Sequence, residues 1–448
     1  MGFFYTTDNL KAMAEKAVAL ARKAGASAAE SRIGEQLHKE IRVRCGRLDG
    51  AESSGELGVS VCVFDGARKG AAAVGELSDN ALELAVRRAL ELARASAADP
   101  CFGLADESMM AREFRDLALY HPHALSDDDA FDMAGRCEQA AFAAHGDISR
   151  DKSEGASVDT SASQSAYANS HGFCAAEQTT MHGISCTALA EANGAMELDG
   201  WSDSARNFDD LPSPESVGKT AGELAAARLG GRRLKSAQVP VLFRAPVSHS
   251  LVWHLVQAAS GGALYRNLSW LSVDDLQKRR VCAPHINIVE DPFLPGGFGS
   301  GNFDGEGVAL RRRDIVKDGI WRGCFLGSYS ARRMKMQTTG NAGGAHNLIV
   351  GGRMLPFDDL LREMGRGFLA TDLMGSTINP VTGDYSRGAS GFWVEGGEII
   401  HPVSEATIAG NVCDILNNIV AVGDDDNRRR GAVKCGSILV GGMTVGGQ

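Results

Sequence analysis

The sequence predicts an α+β fold in which an N-terminal mixed α/β domain is followed by a β-rich C-terminal domain. A chain of 448 residues, 44% of them hydrophobic, exceeds the size at which a single core keeps growing, so two domains are expected. Glycine is frequent, with 54 residues, and proline is scarce, with 12, which favours strands and tight turns over a helical bundle. Local patterns assign residues 1–235 to the first domain and residues 236–448 to the second.

Helical periodicity predicts four helices in the first domain, each with a recognisable start. Thr7 and the residue after it begin a helix that ends near Gly25, because the apolar residues between them recur at helical spacing. Ser78 and Ser126 are expected to cap the second and third helices. The fourth helix is expected over residues 214–229, where a proline begins it and a glycine pair follows it.

Strands are expected where apolar and polar residues alternate between glycines. In the first domain these stretches are residues 33–74 and a series of short strands within residues 157–198. The basic stretch Arg232–Lys235 separates the fourth helix from a new strand, Val239–Phe243, and the domain boundary is placed there. The second domain is predicted as strands and turns with two helices, over residues 246–259 and 357–364.

The charge, the cysteines and the N-terminus exclude several classes of protein. The net charge is −10, whereas a nucleic-acid-binding protein normally presents basic residues to the phosphates. The basic runs Arg311–Arg313 and Arg428–Arg430 lie beside acidic residues and are expected to be largely self-neutralised surface. The ten cysteines show no C-x-x-C spacing, and neither a signal peptide nor a membrane-spanning apolar run is evident. These features predict a reduced, cytoplasmic protein that binds neither nucleic acid nor membrane.

Histidines one helical turn apart are the simplest zinc site of a protease, and the sequence contains neither H-E-x-x-H nor H-E-x-x-x-H. His249 and His254 fall on the predicted helix over residues 246–259. A spacing of five residues places them about 140° apart around the helix axis, so they cannot easily share one ion. His121 and His123 flank a proline, a pattern that is possible in metal sites but common at surfaces. No catalytic residue and no metal ligand are assigned.

Other catalytic patterns are incomplete. The serine elbow G-x-S-x-G is absent, and the segment Gly388–Gly391 is one residue short of it and is interpreted as a turn. Gly218, Lys219 and Thr220 resemble the end of a phosphate loop but lie on a predicted helix instead of a strand-to-helix turn. Neither pattern therefore predicts chemistry.

Two polar, glycine-rich segments of the second domain remain, Gly340–Asn347 and Gly383–Glu395. Glycine lets the backbone approach an extended peptide closely, while asparagine, tyrosine and arginine provide hydrogen-bonding groups. Turns with capping side chains would have the same composition. The residues alone leave a binding groove and a set of turns as two open interpretations.

Several ordered segments give the sequence a resemblance to the TldD/TldE (PmbA) family, and to its TldE/PmbA branch in particular. They are spread from residue 99 to residue 437, so the resemblance covers essentially the whole chain. The segments are Asp99–Asp106, Asn169–Gly172, Phe303–Gly307, Arg313–Gly319, Ser328–Arg332, Gly383–Glu395, Pro402–Asn411 and Cys435–Ser437.

The resemblance implies where a zinc site would lie and which residues replace it. In the TldD-like catalytic subunit of this family, H-E-x-x-x-H follows a central strand, and a cysteine near the C-terminus completes the site. The corresponding helix here has Trp253 in place of the first histidine, His254 in place of the glutamate and Ala258 in place of the second histidine. Cys435 lies near the position of the family's cysteine, but one thiolate without histidine partners is a poor zinc site, so a structural role is expected.

The resemblance also implies a cytosolic heterodimer of metalloprotease type. Its TldD-like subunit, which holds the zinc, cuts unstructured peptides such as microcin precursors and antitoxins, and its TldE-like subunit completes the substrate chamber. The glycine-rich segments then become candidate walls of a peptide groove or interface. The candidate side chains are Asn341, His346, Asp384, Tyr385, Arg387 and Trp393.

Two alternatives to the partner-subunit hypothesis stay open. The chain could be a self-sufficient metallopeptidase that uses another site, or a regulatory binding protein that acts on DNA gyrase without proteolysis. The older family label, modulator of DNA gyrase, suggests the second, although the acidic charge balance gives it no physical support. A homodimer is a plausible form of the isolated chain, because twofold symmetry is the commonest arrangement of oligomers.

Overall fold

The two halves of the chain form separate sheets in the computed structural model, which describes residues 2–425 and 431–447, the side chains of Ser376 and Thr377 excepted. The predicted α+β class with a β-rich second part is confirmed, since helices and strands are mixed before residue 236 and strands prevail after it. The basic run Arg428–Arg430 lies outside the described residues. The domain limits 1–235 and 236–448 remain a prediction.

The elements are numbered in chain order. The helices are α1 (Thr7–Lys23), α2 (Asp79–Ala95), α3 (Asp127–Ala144), α4 (Pro214–Ala227), α5 (Ala245–Ala258), α6 (Gly261–Tyr265), α7 (Ser328–Arg333), α8 (Phe357–Met364) and α9 (Val412–Asn417). The strands are β1 (Ala28–Arg44), β2 (Arg47–Asp65), β3 (Arg68–Val74), β4 (Gly155–Asn169), β5 (Cys174–Ala192), β6 (Ala195–Ala205), β7 (Ala237–Phe243), β8 (Asn287–Glu290), β9 (Arg313–Lys317), β10 (Ile320–Trp321), β11 (Leu348–Gly351), β12 (Met354–Leu355), β13 (Arg366–Ile378), β14 (Asp384–Glu395), β15 (Glu398–Asn411), β16 (Ile419–Gly423), β17 (Val433–Lys434) and β18 (Ile438–Gly447).

The first half of the chain forms one long antiparallel sheet in the order β3-β2-β1-β4-β5-β6. Four helices cover one of its faces. On β1, Ile33 packs with α1 and α2 in one core cluster, and Ile41 and Val43 pack with α3 and α4 in another. These three residues are all odd-numbered, and alternate residues of a strand point to the same side, so both helix pairs lie on one face.

The opposite face of this sheet contacts the second half of the chain. The Arg32 guanidinium lies 5.4 Å from the centre of the Tyr167 ring and donates a hydrogen bond of 3.3 Å to the carbonyl oxygen of Gly305. Phe173, which follows β4, packs edge-on against Phe303 with ring centres 5.5 Å apart. The sheet is therefore sandwiched between its own helices and the 298–307 segment.

A charged cluster around Arg228, at the end of α4, also joins the two halves. Its guanidinium approaches Glu197 at 3.4 Å and Asp199 at 3.3 Å, both on β6. It also approaches Asp372 on β13 at 3.8 Å and donates a 3.0 Å hydrogen bond to Ser390 on β14. One cation thus bridges acidic groups of the first sheet and polar groups of the last.

The second half contains two sheets. The smaller has the order β10-β9-β8-β11-β17. The larger closes on itself, because β18 pairs with β15 and β16 on one side and with β7 on the other. On β7, Val241 and Phe243 pack into the cluster that contains α5, whereas Leu242 packs into the cluster that contains α8. Burial on both faces explains why residues 239–243 of β7 are continuously apolar.

Two sequence interpretations were wrong in detail. Residues 157–198 form long strands, β4 with 15 residues and β5 with 19, instead of several short ones. The segment Gly388–Gly391 lies within strand β14 and is not a turn. A Cβ at Gly391 would come within 1.9 Å of the Leu369 carbonyl oxygen, so the glycine marks a close approach of two strands.

Two general features follow from the described residues. Among residues 2–425 and 431–447, no helix is both long enough and apolar enough to cross a membrane. The ten cysteines all lie in these ranges, and none of them forms a disulfide.

Candidate functional site

Helix α5 follows the buried strand β7 directly and is held at its N-terminus by the segment Cys435–Ser437. The backbone N–H of Ala245 donates a hydrogen bond of 3.0 Å to Ser437 Oγ. The hydroxyl of Ser248 donates one of 2.7 Å to the carbonyl oxygen of Gly436. Cys435, singled out in the sequence, therefore lies in the segment that fixes the start of this helix.

The three sequence positions that replace the zinc motif point in different directions from α5. Ala258 is 4% exposed and belongs to the main core cluster, and Trp253 packs against the same cluster. His254 faces Tyr385 of β14, with ring centres 5.8 Å apart and planes 71° apart. Ala258 is therefore a core residue, Trp253 is a partly buried residue that packs against the core, and only His254 enters a polar site.

His254, Tyr385 and Arg387 form a polar cluster under α5 with unused hydrogen-bonding capacity. Both ring nitrogens of His254, the Tyr385 hydroxyl and Arg387 Nε are buried, and none has a hydrogen-bond partner among the described residues. The other end of the Arg387 guanidinium donates a hydrogen bond of 3.2 Å to the Leu373 carbonyl oxygen on β13. Buried polar atoms without partners are rare in folded proteins, so this cluster is a candidate functional site.

Burial determines the charges in this cluster. It lowers the pKa of His254 to about 4, and the nearby positive charge of Arg387 adds to this effect. Burial also lowers the pKa of His249, with a smaller contribution from Arg387. Burial raises the pKa of Tyr385 to about 12. At neutral pH, His254 and Tyr385 are therefore uncharged beside one guanidinium.

The donor set under α5 does not fit zinc. Zinc is bound by three or four thiolate, imidazole or carboxylate ligands that converge on one point. Among residues 2–425 and 431–447, no three histidine, cysteine, aspartate or glutamate side chains are close enough to hold one ion. The Arg387 guanidinium is close enough to His249 and His254 to lower both pKa values, and it would repel a divalent cation there.

The depressed pKa of His254 leads to a pH-dependent stability. The unfolded chain binds this proton near pH 6.5, whereas the folded protein binds it only near pH 4, so the free energy of unfolding falls as the pH falls between these values. In urea titrations at about pH 7 and about pH 5.5, we expect His254→Phe to lose about 1 kcal/mol less than the wild type does. His145→Phe is the control for removing a half-exposed histidine. Equal losses in His254→Phe and the wild type would contradict the prediction.

The glycine-rich loop 340–347 is held from inside by Glu290, which is 1% exposed. Its carboxylate accepts hydrogen bonds from Asn341 Nδ2 at 2.8 Å and from the His346 backbone N–H at 2.9 Å. Arg313 donates to Glu290 at 2.6 Å and to Asn341 Oδ1 at 2.8 Å. The buried side chain of Asn341 thus holds the loop in place through hydrogen bonds within the protein, and its amide is not presented to a ligand.

The outer side of the same loop borders a cleft of about 480 Å³ between the two halves of the chain. His346 and the flat surface of Gly343 and Gly344 form one wall, and Arg32 and Glu177 of the first sheet form the other. A Cβ at either glycine would meet no atom within 4 Å, and both have φ above +100°. Burial raises the pKa of Glu177. This cleft could admit an extended chain that reaches the loop backbone.

The six candidate groove residues do not share one surface. Asn341 and His346 belong to the loop of the cleft, whereas Tyr385 and Arg387 belong to the cluster under α5. Asp384 is exposed and accepts a 2.6 Å hydrogen bond from Thr382. The Arg366 guanidinium lies 5.4 Å from the centre of the Trp393 ring. Asp384 and Tyr385 are neighbours in β14 but are separated because successive residues of a strand face opposite sides.

Sequence reasoning missed Glu290, Arg32 and Glu177. Glu290 ends a strand in which it follows the apolar residues Ile288 and Val289, and nothing in that pattern distinguishes a buried carboxylate from an exposed one. Arg32 and Glu177 lie on different strands of the first sheet, and they meet the loop only through the packing of the two halves. One indication of the buried carboxylate of Glu290 was present in the sequence. Its ion-pair partner Arg313 lies in the segment Arg313–Gly319, one of those on which the family resemblance rests.

Three family models match successive parts of the chain. The model described as PmbA/TldA metallopeptidase domain 1 matches residues 29–93, the central-domain model matches residues 120–229, and the C-terminal-domain model matches residues 236–447. The chain is 40% identical over 420 residues to Metalloprotease PmbA of Escherichia coli O157:H7, which covers 94% of this chain and 92% of that protein. It is 39% identical over 432 residues to the Metalloprotease PmbA homolog of Haemophilus influenzae, at 96% and 94% coverage.

Solved structures have the same fold over nearly the whole length. A Bacteroides thetaiotaomicron protein that carries the label "modulator of DNA gyrase" superposes with a TM-score of 0.92 at 25% identity, over 98% of this chain and 99% of that one. TldE from Thermococcus kodakarensis superposes with a TM-score of 0.84 at 19% identity, over 97% and 100%. At that identity the second likeness concerns the fold alone.

Proposed function

Because the chain belongs to the PmbA/TldD metallopeptidase family, we propose that it is the TldE/PmbA-type subunit of a zinc metalloprotease and has no zinc site of its own. In this proposal a TldD-like partner binds the zinc and cuts unstructured peptides in the cytoplasm. The chain described here completes the chamber that holds the substrate.

The observation that carries the proposal is the chemistry under α5. Trp253 and Ala258 stand where the family's two histidine ligands would be; Ala258 lies in the core, and Trp253 is partly buried against it. Arg387 occupies the space beside His254 with a positive charge. Replacement of ligands by core residues and a cation is expected of a subunit that has lost metal binding but kept the fold.

The cleft beside loop 340–347 supports a role in holding peptide. It lies between the two halves of the chain, and its two glycines, which carry no side chain, let an extended substrate approach the loop backbone closely. Glu290 and Arg313 fix this wall from behind, so it is preorganised and binding does not have to order it.

The test is metal analysis and peptide cleavage, done on this chain alone, on the TldD-like subunit of its organism alone, and on the mixture. We expect one zinc per TldD-like subunit, none in this chain, and chelator-sensitive cleavage of an unfolded peptide that requires the mixture. The matched control is a mixture whose TldD-like subunit has the glutamate of H-E-x-x-x-H replaced by glutamine. Zinc and chelator-sensitive cleavage in this chain alone would overturn the proposal and establish a self-sufficient metallopeptidase.

The label of the Bacteroides thetaiotaomicron relative motivates one further arm of this test. The tagged chain is used to capture partners from its own organism's extract. Recovery of a TldD-like subunit supports the proposal. Recovery of DNA gyrase without a TldD-like subunit, together with inactive mixtures, would favour a regulatory binding protein instead.

A further inference from the structure

A groove of about 700 Å³ on the surface is rich in arginine. It is lined by Arg112 and Arg115 from the extended segment after residue 110 and by Arg311 and Arg312 from the segment before β9. The carboxylates in its lining are Glu113 and Asp291. Neither α5 nor loop 340–347 contributes to it, so this groove is distinct from the sites described above.

The walls of the groove are joined by hydrogen bonds. The Ala111 N–H donates to the Gly307 carbonyl oxygen at 3.0 Å. Asn302 accepts from the Arg115 backbone N–H at 2.8 Å and donates to the Arg115 carbonyl oxygen at 3.1 Å. Two segments far apart in the sequence are thus held in a fixed relation, and the groove is preformed.

The positive charge of the groove is not neutralised from within. Arg312 pairs with Asp291 at 3.3 Å. For Arg112, Arg115 and Arg311, no carboxylate lies within ion-pair distance in the part of the chain that the structure describes. The Arg115 guanidinium lies 3.9 Å from the centre of the Phe293 ring, which fixes its plane. In the run Arg311–Arg313, Arg312 pairs with Asp291 and Arg313 pairs with Glu290, whereas Arg311 has no such pair among the described residues. The expected self-neutralisation of this run is therefore incomplete.

We propose that this groove binds an extended acidic peptide segment, whose carboxylates pair with Arg112, Arg115 and Arg311. A guanidinium presents parallel N–H donors that match a carboxylate in a bidentate arrangement. The lining holds four arginines and two carboxylates, so the groove has a local excess of positive charge on a chain whose net charge is −10, and attraction of acidic groups is local to it. The site does not depend on whether the chain binds zinc.

The carboxylates within the groove favour a peptide over a nucleic acid. Glu113 lies in the sequence between Arg112 and Arg115, and Asp291 pairs with Arg312. A nucleic acid backbone carries a phosphate at every nucleotide, so some of its phosphates would lie close to these two carboxylates and be repelled. A peptide can place acidic residues opposite the arginines and uncharged residues opposite Glu113.

The test is fluorescence polarisation of two labelled peptides with the full chain, one of alternating glutamate and serine and one of alternating glutamine and serine. We expect only the glutamate peptide to bind, and to bind more weakly as salt is added. Each exposed pair contributes a factor of a few to the affinity, so the double variant Arg112→Gln/Arg311→Gln should bind about tenfold more weakly. Arg88→Gln, which changes an exposed arginine of α2, is the matched control and should bind like the wild type.

Three results would overturn the proposal. They are equal binding of the two peptides, absence of binding to either, and unchanged affinity of the double variant. A single-stranded oligonucleotide that binds more tightly than the glutamate peptide, and loses its affinity in the same variant, would reassign the groove to nucleic acid. Both substituted arginines are exposed, so folding is expected to be retained, and urea titration of each variant checks this.

Discussion

Replacing Glu290 with alanine is expected to lower the free energy of unfolding by about 3–5 kcal/mol, because it leaves the partly buried Arg313 without its counter-ion. The Glu290 side chain is 1% exposed and that of Arg313 is 13% exposed. The substitution also removes the acceptors of the Asn341 side chain and the His346 backbone. Each buried donor left without a partner adds to the cost.

The same variant should loosen the glycine-rich loop before it unfolds the protein. Hydrogen exchange read by mass spectrometry measures opening peptide by peptide, and we expect lost protection in 340–347 while the first sheet keeps its protection. Arg312→Ala is the matched control, because it breaks the neighbouring pair with Asp291, whose arginine is 62% exposed. That control should lose less than about 1 kcal/mol. A comparable loss in the control and in Glu290→Ala would contradict the importance assigned to burial.

The starts of α1, α2 and α3 were predictable to within one residue, because a capping side chain marks each of them. The short helices α6 and α9 were not predicted, although Ser260 and Asn411 cap them. Thr6 caps α1 one residue before the predicted start, and Ser78 and Ser126 cap α2 and α3 as predicted. Helix α8 spans the predicted residues 357–364, although no side-chain cap marks its start. Capping depends on a side chain and a backbone N–H three positions apart, so the sequence itself contains the information.

The long strands β4 and β5 were not predictable, because their buried faces contain polar residues. Thr160 and His182 are buried opposite each other and share a hydrogen bond of 2.7 Å. Gln164 donates a hydrogen bond of 3.0 Å to Glu35 on β1. From the alternation of apolar and polar residues alone, these buried polar residues are predicted to be exposed to solvent. Their partners lie on other strands, so only the folded sheet reveals that they are satisfied.

The candidate sites were predictable in part, for a similar reason. The family resemblance marks α5 and its substituted zinc positions, since the motif that it implies is contiguous along one helix. It does not show that Arg387 lies beside His254, or that Arg32 faces loop 340–347, because these contacts join elements far apart in the chain. The basic groove is also hidden, since Arg112 and Arg311 meet only through tertiary packing.

Substitution of Gly218 is the second change expected to lower the free energy of unfolding strongly. The role of this glycine also depends on tertiary packing. It lies on α4 where this helix crosses α3, and a Cβ there would be 1.8 Å from the Cys137 carbonyl oxygen and 3.1 Å from the Ala140 Cβ. Gly222, one turn later, would meet the Ala141 carbonyl oxygen at 2.5 Å. These glycines allow two helix backbones to touch, which explains a Gly-Lys-Thr sequence that resembles a phosphate loop but lies on a helix.

Gly218→Ala is therefore expected to destabilise the protein by about 3 kcal/mol, although alanine favours a helix by about 1 kcal/mol over glycine. The added methyl group contacts backbone, which cannot rotate away, so α4 must move off α3 and expose the core formed with Val217, Ala221 and Ala225. Gly135→Ala on α3 is the matched control, since a Cβ there meets no atom within 4 Å. Urea titration should show the control gaining about 0.5–1 kcal/mol while Gly218→Ala loses stability. A gain in both variants would mean that α4 does not contact α3 at Gly218.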